Sequence, residues 1–237
     1  MSISIFDPVP VQLAPGSEAA PGLAKALTWG RVTLVGQVAL LLVLAAAIAA
    51  LLSILTPLHL APGTTVTGHD AAVRLGAIRV TSRLDTIVFS ASSIVWLVWV
   101  YKSYASLTHL GTRRTRHMPG WTVLVWFVPF LNLVAPYQVV RELWLRSAGL
   151  NAAEPSTEEK TPLVSGWWAL FLFSNLLALL AVAALRWLGI RGATTTLELL
   201  VATHTLRVGA AILAILIVRR IASFQRRALA QSSAAAP

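Results

Sequence analysis

Arg207 is the most expensive residue in this sequence to place. It lies inside the apolar run Leu197–Val218, twelve residues before Arg219, so roughly 18 Å along a helix from that end. An arginine at such depth costs about 2.5–3.5 kcal/mol on insertion scales, and it marks a place where function is to be sought. Either it takes part in binding a substrate, or it snorkels outward and pairs with Asp85, or with Glu198 of a neighbouring chain. His204 stands three residues earlier on the same helical face. Together with His59, His69 and Asp70 it could hold a metal or handle protons, but the spacing His59-x9-His69-Asp70 matches no ligand motif. No metal site and no cofactor is expected. Asn132 and Asn175 are two further polar groups in apolar surroundings, suited to hydrogen bonds across helices or to a polar path.

Other chemistries are excluded or lack their residues. The chain has no cysteine, which rules out a disulfide, thiolate catalysis and cysteine-bound zinc within it. It has neither a phosphate-binding glycine loop nor a Ser–His–Asp set in a suitable context, so no enzymatic activity is expected.

The elements that must position these residues are transmembrane helices. Of the 237 residues 57% are hydrophobic and only 12% charged, against about 25% in an ordinary soluble domain. Val32–Leu58, Thr86–Tyr101 and Leu163–Leu185 contain no charged residue, and about 20 apolar residues suffice to cross a bilayer. The expected organisation is a disordered proline-containing cytoplasmic tail over 1–30, one membrane domain over 31–222, and a disordered basic tail over 223–237. Spans are expected at about 32–55, 86–107, 165–187 and 197–218. Thr56–Leu84 and Asn151–Pro162 read as polar loops, the first turn-rich at APGTTVTGHD.

The stretch PGWTVLVWFVPFLNLVAPYQ (Pro119–Gln138), within a segment 119–147, is harder to place. Pro129 and Pro136 each remove a backbone donor and clash with the preceding turn, and Asn132 lies between them. Lysine and arginine counts decide the topology. If the segment dips in and returns, with the N-terminus inside, thirteen such residues lie inside and five outside. If it crosses, the split is ten to eight at best. The fold class is therefore an all-α integral membrane protein with four transmembrane helices and one proline-broken re-entrant helical hairpin, bent near Pro129–Asn132. Five transmembrane helices is the alternative. Both termini are placed in the cytoplasm, with the chain in a bacterial plasma membrane.

Trp99–Trp144 can be read as a block. Pro119, Gly120, Trp121, Trp126, Pro129, Asn132, Leu133, Pro136, Tyr137, Gln138, Arg141, Glu142 and Trp144 follow the pattern P-G-W-x4-W-x2-P-x2-N-L-x2-P-Y-Q-x2-R-E-x-W. This resembles the signature of a largely actinobacterial family of multi-pass membrane proteins, domain-of-unknown-function family 4328. Ser106 and His109 depart from the family's usual asparagine and small residue. The resemblance implies a family region from roughly Gly30 to Arg227, and it brings no known activity.

The net charge of +10 is the usual footprint of phosphate binding. Here the basic residues cluster at helix ends, as in Arg113–Arg116 and Arg219–Arg227, which is the pattern of loops held beside anionic lipid rather than nucleic acid. The expected partners are the bilayer, anionic lipid at the cytoplasmic face, and a protein engaging the N-terminal tail. The expected role is a membrane scaffold or regulatory subunit. The alternative is a small transporter or channel using the broken segment 119–138 and Arg207.

Overall fold

Runs this apolar satisfy their backbone only as helices when water is absent, and in the computed structural model each of them is one. The structure describes residues 19–60, 68–109, 118–149 and 161–234, and among these no strand occurs. The order is α1 (Ala19–Leu60), α2 (Gly68–His109), a four-residue α3 (Trp121–Leu124), a 3-10 turn at Leu131–Leu133, α4 (Ala135–Gly149), α5 (Pro162–Leu188), a 3-10 turn at Gly189–Gly192, and α6 (Ala193–Ala234). Four helices are long and apolar enough to cross a membrane: α1, α2, α5 and α6. The segment 119–147 supplies no such helix. Its longest piece, the 15-residue α4, is about 22 Å long and falls short of the ~30 Å hydrocarbon layer.

Three helices outrun the expected spans. α1, α2 and α6 have 42 residues each, about 63 Å, twice what a span requires. α1 already begins at Ala19, inside the tail assigned to 1–30, because Leu23 and Ala26 are completely buried. α2 begins at Gly68, through most of the stretch read as a polar loop. After Gly68 no proline interrupts the chain, Asp70 sits favourably in the first turn, and arginine and alanine are good helix formers. Arg74 donates to the Ser53 carbonyl and ties this extension to α1. α6 continues to Ala234 in place of a loose tail, since its alanine-rich end propagates helix and buries Phe224, Gln225 and Ala228. Expectations for 1–18, for the basic linker at 110–117, for most of the loop Asn151–Pro162 and for 235–237 fall outside the described residues.

The chain divides into two compact units. Unit 1 consists of Met1–Leu34, Ile94–Ser165 and Ile215–Pro237, and unit 2 of Val35–Ser93 and Gly166–Ala214. In unit 1, α4 is the internal element: Pro136, Val139, Val140, Leu143, Trp144 and Ser147 are buried. Trp144 meets Phe224 of α6 edge-on at 5.9 Å between ring centres, a favourable aromatic arrangement. Tyr137 Oη lies 3.4 Å from Ser165 Oγ.

In unit 2, Leu40 and Leu44 of α1 pack with Ala211 of α6, flanked by Val88 and Phe89 of α2. α1 and α2 come close at Gly36, where the Ser92 hydroxyl donates to the Gly36 carbonyl at 2.8 Å. A Cβ at Gly36 would sit 3.0 Å from that hydroxyl, so the missing side chain is what admits the bond. α5 ends at Gly189, whose φ of +54° is the left-handed conformation that closes a helix.

Candidate functional site

Within unit 2 the fold brings three of the five proposed polar residues together. Asp85 of α2 and Arg207 of α6 are 122 positions apart, yet Arg207 Nη1 donates to Asp85 Oδ2 at 3.1 Å. The guanidinium carbon also lies 5.2 Å from the centre of the Phe89 ring, one turn along α2 from Asp85. An arginine in an apolar helix thus receives a counter-charge and an aromatic face, the two things that lower its insertion cost. Of the partners weighed for Arg207, Asp85 is the one within the chain, and it meets the guanidinium.

His204 completes the trio. Its Nδ1 lies 2.6 Å from the Leu200 carbonyl, a pure acceptor, so Nδ1 carries a hydrogen. Nε2 then faces Asp85 Oδ2 at 3.8 Å. The second carboxylate oxygen, Oδ1, is buried and makes no hydrogen bond. An imidazole nitrogen and a desolvated carboxylate therefore face one another beside a fixed positive charge.

Asn132 and Asn175 do not join the trio. Asn175 donates to the Phe171 carbonyl of its own helix at 2.8 Å, and its side chain is exposed. Asn132 lies in unit 1 and donates to the Trp126 carbonyl at 3.3 Å. That bond spans the break in the chain. Pro129 precedes Phe130, the one non-glycine residue with positive φ (+64°) among the described residues, a strained conformation for a bulky side chain. His69 is exposed at the start of α2 and does not join the trio either, and the side chain of His59 lies outside the described residues. No group of three or more metal-ligating side chains occurs among the described residues.

The signature residues form a second constellation, wholly in unit 1. Pro119 and Gly120 start α3: Thr122 returns both its amide, at 3.2 Å, and its hydroxyl, at 2.6 Å, to the Pro119 carbonyl. Trp121 is partly exposed, Trp126 half-buried, Pro129 and Gln138 exposed, and Pro136 buried. Glu142 accepts from Tyr104 Oη at 2.8 Å through Oε2 and from Arg146 Nε at 2.7 Å through Oε1. The i,i+4 spacing of Glu142 and Arg146 makes their pair legible in the sequence. Tyr104 was the residue sequence reasoning missed, because its partner lies 38 positions away on another helix. Arg141, next to this network, points outward.

A family model described as a domain of unknown function, DUF4328, matches residues 64–223, about two thirds of the chain. It covers both constellations. No curated protein and no solved structure matches the chain.

Proposed function

We propose that this chain, which belongs to the DUF4328 family, is a multi-pass protein of the bacterial plasma membrane acting as a scaffold or regulatory subunit through a basic cytoplasmic face. One observation carries this reading. Unit 1 holds thirteen of the nineteen lysines and arginines, and Lys25, Arg31, Arg141, Arg219, Arg220, Arg226 and Arg227 are exposed there. The deep arginine of unit 2, by contrast, is neutralised by Asp85. The positive-inside rule puts unit 1, and so both termini, in the cytoplasm beside anionic lipid. The segment 119–134 dips into the inner leaflet and returns. Leu124, Phe127, Phe130, Leu133 and Val134 are large, apolar and exposed there, which suits lipid contact. In an actinobacterial membrane, as elsewhere, this face would bind anionic headgroups and a partner protein.

Cysteine labelling and pull-down test the reading together. Thr112→Cys and Ser156→Cys should stay dark to an impermeant maleimide in intact cells, while Thr65→Cys labels. Partner capture from solubilised membranes should fall when residues 1–18 are removed, and again with Arg226→Glu/Arg227→Glu. Labelling of only one of the two inner positions from outside would overturn the topology. Unchanged capture in both variants would overturn the scaffold role.

The geometry of His204 and Asp85 favours a second reading, a small transporter that moves protons. Vesicles loaded with a pH-sensitive dye would then acidify through the wild type and not through Asp85→Asn.

A further inference from the structure

Within unit 2, α2 carries two arginines level with the most apolar part of its neighbours. Arg74 donates to the Ser53 carbonyl and Ser92 to the Gly36 carbonyl, so α2 runs antiparallel to α1 and in step with it. Arg83 stands nine residues before Ser92, which sets it level with Ala45, nine residues after Gly36. Arg79 is level with Ala49 by the same count. Ala45 is the midpoint of Val32–Leu58, the charge-free run of α1, and roughly 20 Å of helix separate it from either end. α5 and α6 give the same depth. Arg207, bonded to Asp85 two residues from Arg83, lies two residues before Gly209, and Gly209 packs on Leu170. That contact falls inside Leu163–Leu185, the charge-free run of α5. The register of the helices therefore centres the bilayer near Arg83, whereas the sequence predicts a span of α2 at 86–107.

At this depth α2 turns Asp85 and Ser92 inward, where both are buried. Arg79, Ser82, Arg83, Thr86 and Ser90 share another flank at helical spacing, and all five are exposed. The Thr86 and Ser90 hydroxyls donate to the carbonyls four residues back and keep their lone pairs open. Neither Arg79 nor Arg83 has a hydrogen bond or an ion pair among the described residues. Arginines within membranes face a counter-charge or water, not hydrocarbon.

We infer that this flank docks a transmembrane helix of another protein, one with an aspartate or glutamate near its middle, whose carboxylate pairs with Arg83 and Arg79. Charge and depth select this occupant. Lipid tails leave both guanidinium groups without a counter-charge. A headgroup phosphate stays at the surface, roughly 20 Å of helix from Arg83. A second copy of this chain brings the same two arginines to the contact, and like charges repel. Its carboxylate at this depth, Asp85, is buried and bonded to Arg207, and Glu198 lies nine residues farther out on α6, roughly 14 Å away. An acidic helix supplies what these lack, a two-oxygen acceptor at mid-bilayer. The hydroxyls of Ser82, Thr86 and Ser90 flank it and suit hydrogen bonds between helices. This surface belongs to unit 2 and uses no residue of the basic face proposed for unit 1.

Two measurements test it. The first reads depth: in intact cells Arg83→Cys should react with an impermeant maleimide roughly tenfold more slowly than Thr65→Cys, since the reactive thiolate does not form in hydrocarbon. Equal rates would put water at this flank and overturn the docking surface. The second reads the partner's chemistry. Full-length chain is reconstituted in phosphatidylglycerol/phosphatidylcholine vesicles with a leucine–alanine transmembrane peptide bearing one central glutamate. Energy transfer from the chain's tryptophans to a dansyl group on the peptide reports association. The glutamate peptide should bind roughly tenfold more tightly than its glutamine counterpart. Arg79→Leu/Arg83→Leu should abolish that preference, and Arg79→Lys/Arg83→Lys should keep most of it. The leucine variant should retain the wild-type thermal transition, because neither arginine bonds within the described residues. Equal binding of the two peptides would mean that lipid covers the flank. A preference that survives the leucine variant would send the carboxylate elsewhere, and a lowered transition would make the arginines part of the chain's own fold. A disulfide dimer of Arg83→Cys under copper–phenanthroline, persisting on dilution in lipid, would assign the flank to a second copy. Each of these results overturns the docking surface and leaves the reading of unit 1 as it stands.

Discussion

Each unit holds one carboxylate at the heart of its polar network, and the two are used differently. In unit 1, Glu142 satisfies both oxygens, one with the Tyr104 hydroxyl and one with Arg146 on its own helix. In unit 2, Asp85 satisfies one oxygen with Arg207 and holds the other buried without a hydrogen bond, next to His204. The first arrangement is complete and suits fixing α4, a helix too short to span, against α2. The second holds two helices long and apolar enough to cross a membrane together by a mostly buried ion pair and retains an unspent acceptor. A closed network rigidifies a structure; an open one keeps a buried acceptor without its hydrogen bond.

Breaking the unit 2 network should have the largest effect. Asp85→Leu leaves Arg207 without its counter-charge among apolar helices, and the loss should be about 3–5 kcal/mol of stability. The measurement is thermal unfolding of the detergent-solubilised chain. Asp85→Leu/Arg207→Leu should recover most of that loss, since removing both charges removes the desolvation cost as well. A double variant as unstable as the single one would show that the pair is not what joins α2 to α6.

The same double-variant logic should fail in unit 1, which sharpens the contrast. Tyr104→Phe removes a hydrogen bond to a charged acceptor and should cost about 1.5–3 kcal/mol in the same measurement. Glu142→Leu/Arg146→Leu should recover less, because it also removes the charged acceptor of the bond from the buried Tyr104 hydroxyl. Equal recovery in the two units would erase the distinction drawn between them.

Two smaller effects follow from close packing and from the bend. Gly36→Ala places a methyl group 3.0 Å from Ser92 Oγ, so the serine must swing away and lose its bond to the Gly36 carbonyl. A loss of about 1 kcal/mol is expected, with faster amide exchange on the facing turns of α1 and α2. Asn132→Ala removes only the bond to the Trp126 carbonyl and should cost less than about 1 kcal/mol. Its signature should be increased amide exchange confined to residues 126–134. A global loss of stability would show that the bend supports more of unit 1 than its own contacts indicate.

Much of the architecture was legible in the chain. Charge-free runs over Val32–Leu58 and Leu163–Leu185 fall within α1 and α5, because hydrocarbon admits only helices of that length. Pro129 and Asn132 mark where the backbone breaks, because proline removes a donor wherever it sits. Helix ends were less legible. Charged residues do not stop a helix, so α2 runs back past Arg83, Arg79 and Arg74 to Gly68, and α6 runs on past Arg227 to Ala234.

The sequence by itself determined that this chain is helical, bilayer-seeking and basic at particular ends, since those properties belong to local runs and to composition. It also singled out Arg207, because a charge in an apolar run is costly wherever the run folds. Which residue answers that charge was decided only by tertiary structure. Within the chain, the packing of α2 on α6 places the Asp85 carboxylate at 3.1 Å from the guanidinium. The Tyr104–Glu142 bond and the exposed polar flank of α2 belong to the same class. They depend on which faces the helices turn toward each other, and that follows from packing between distant segments, not from any one of them.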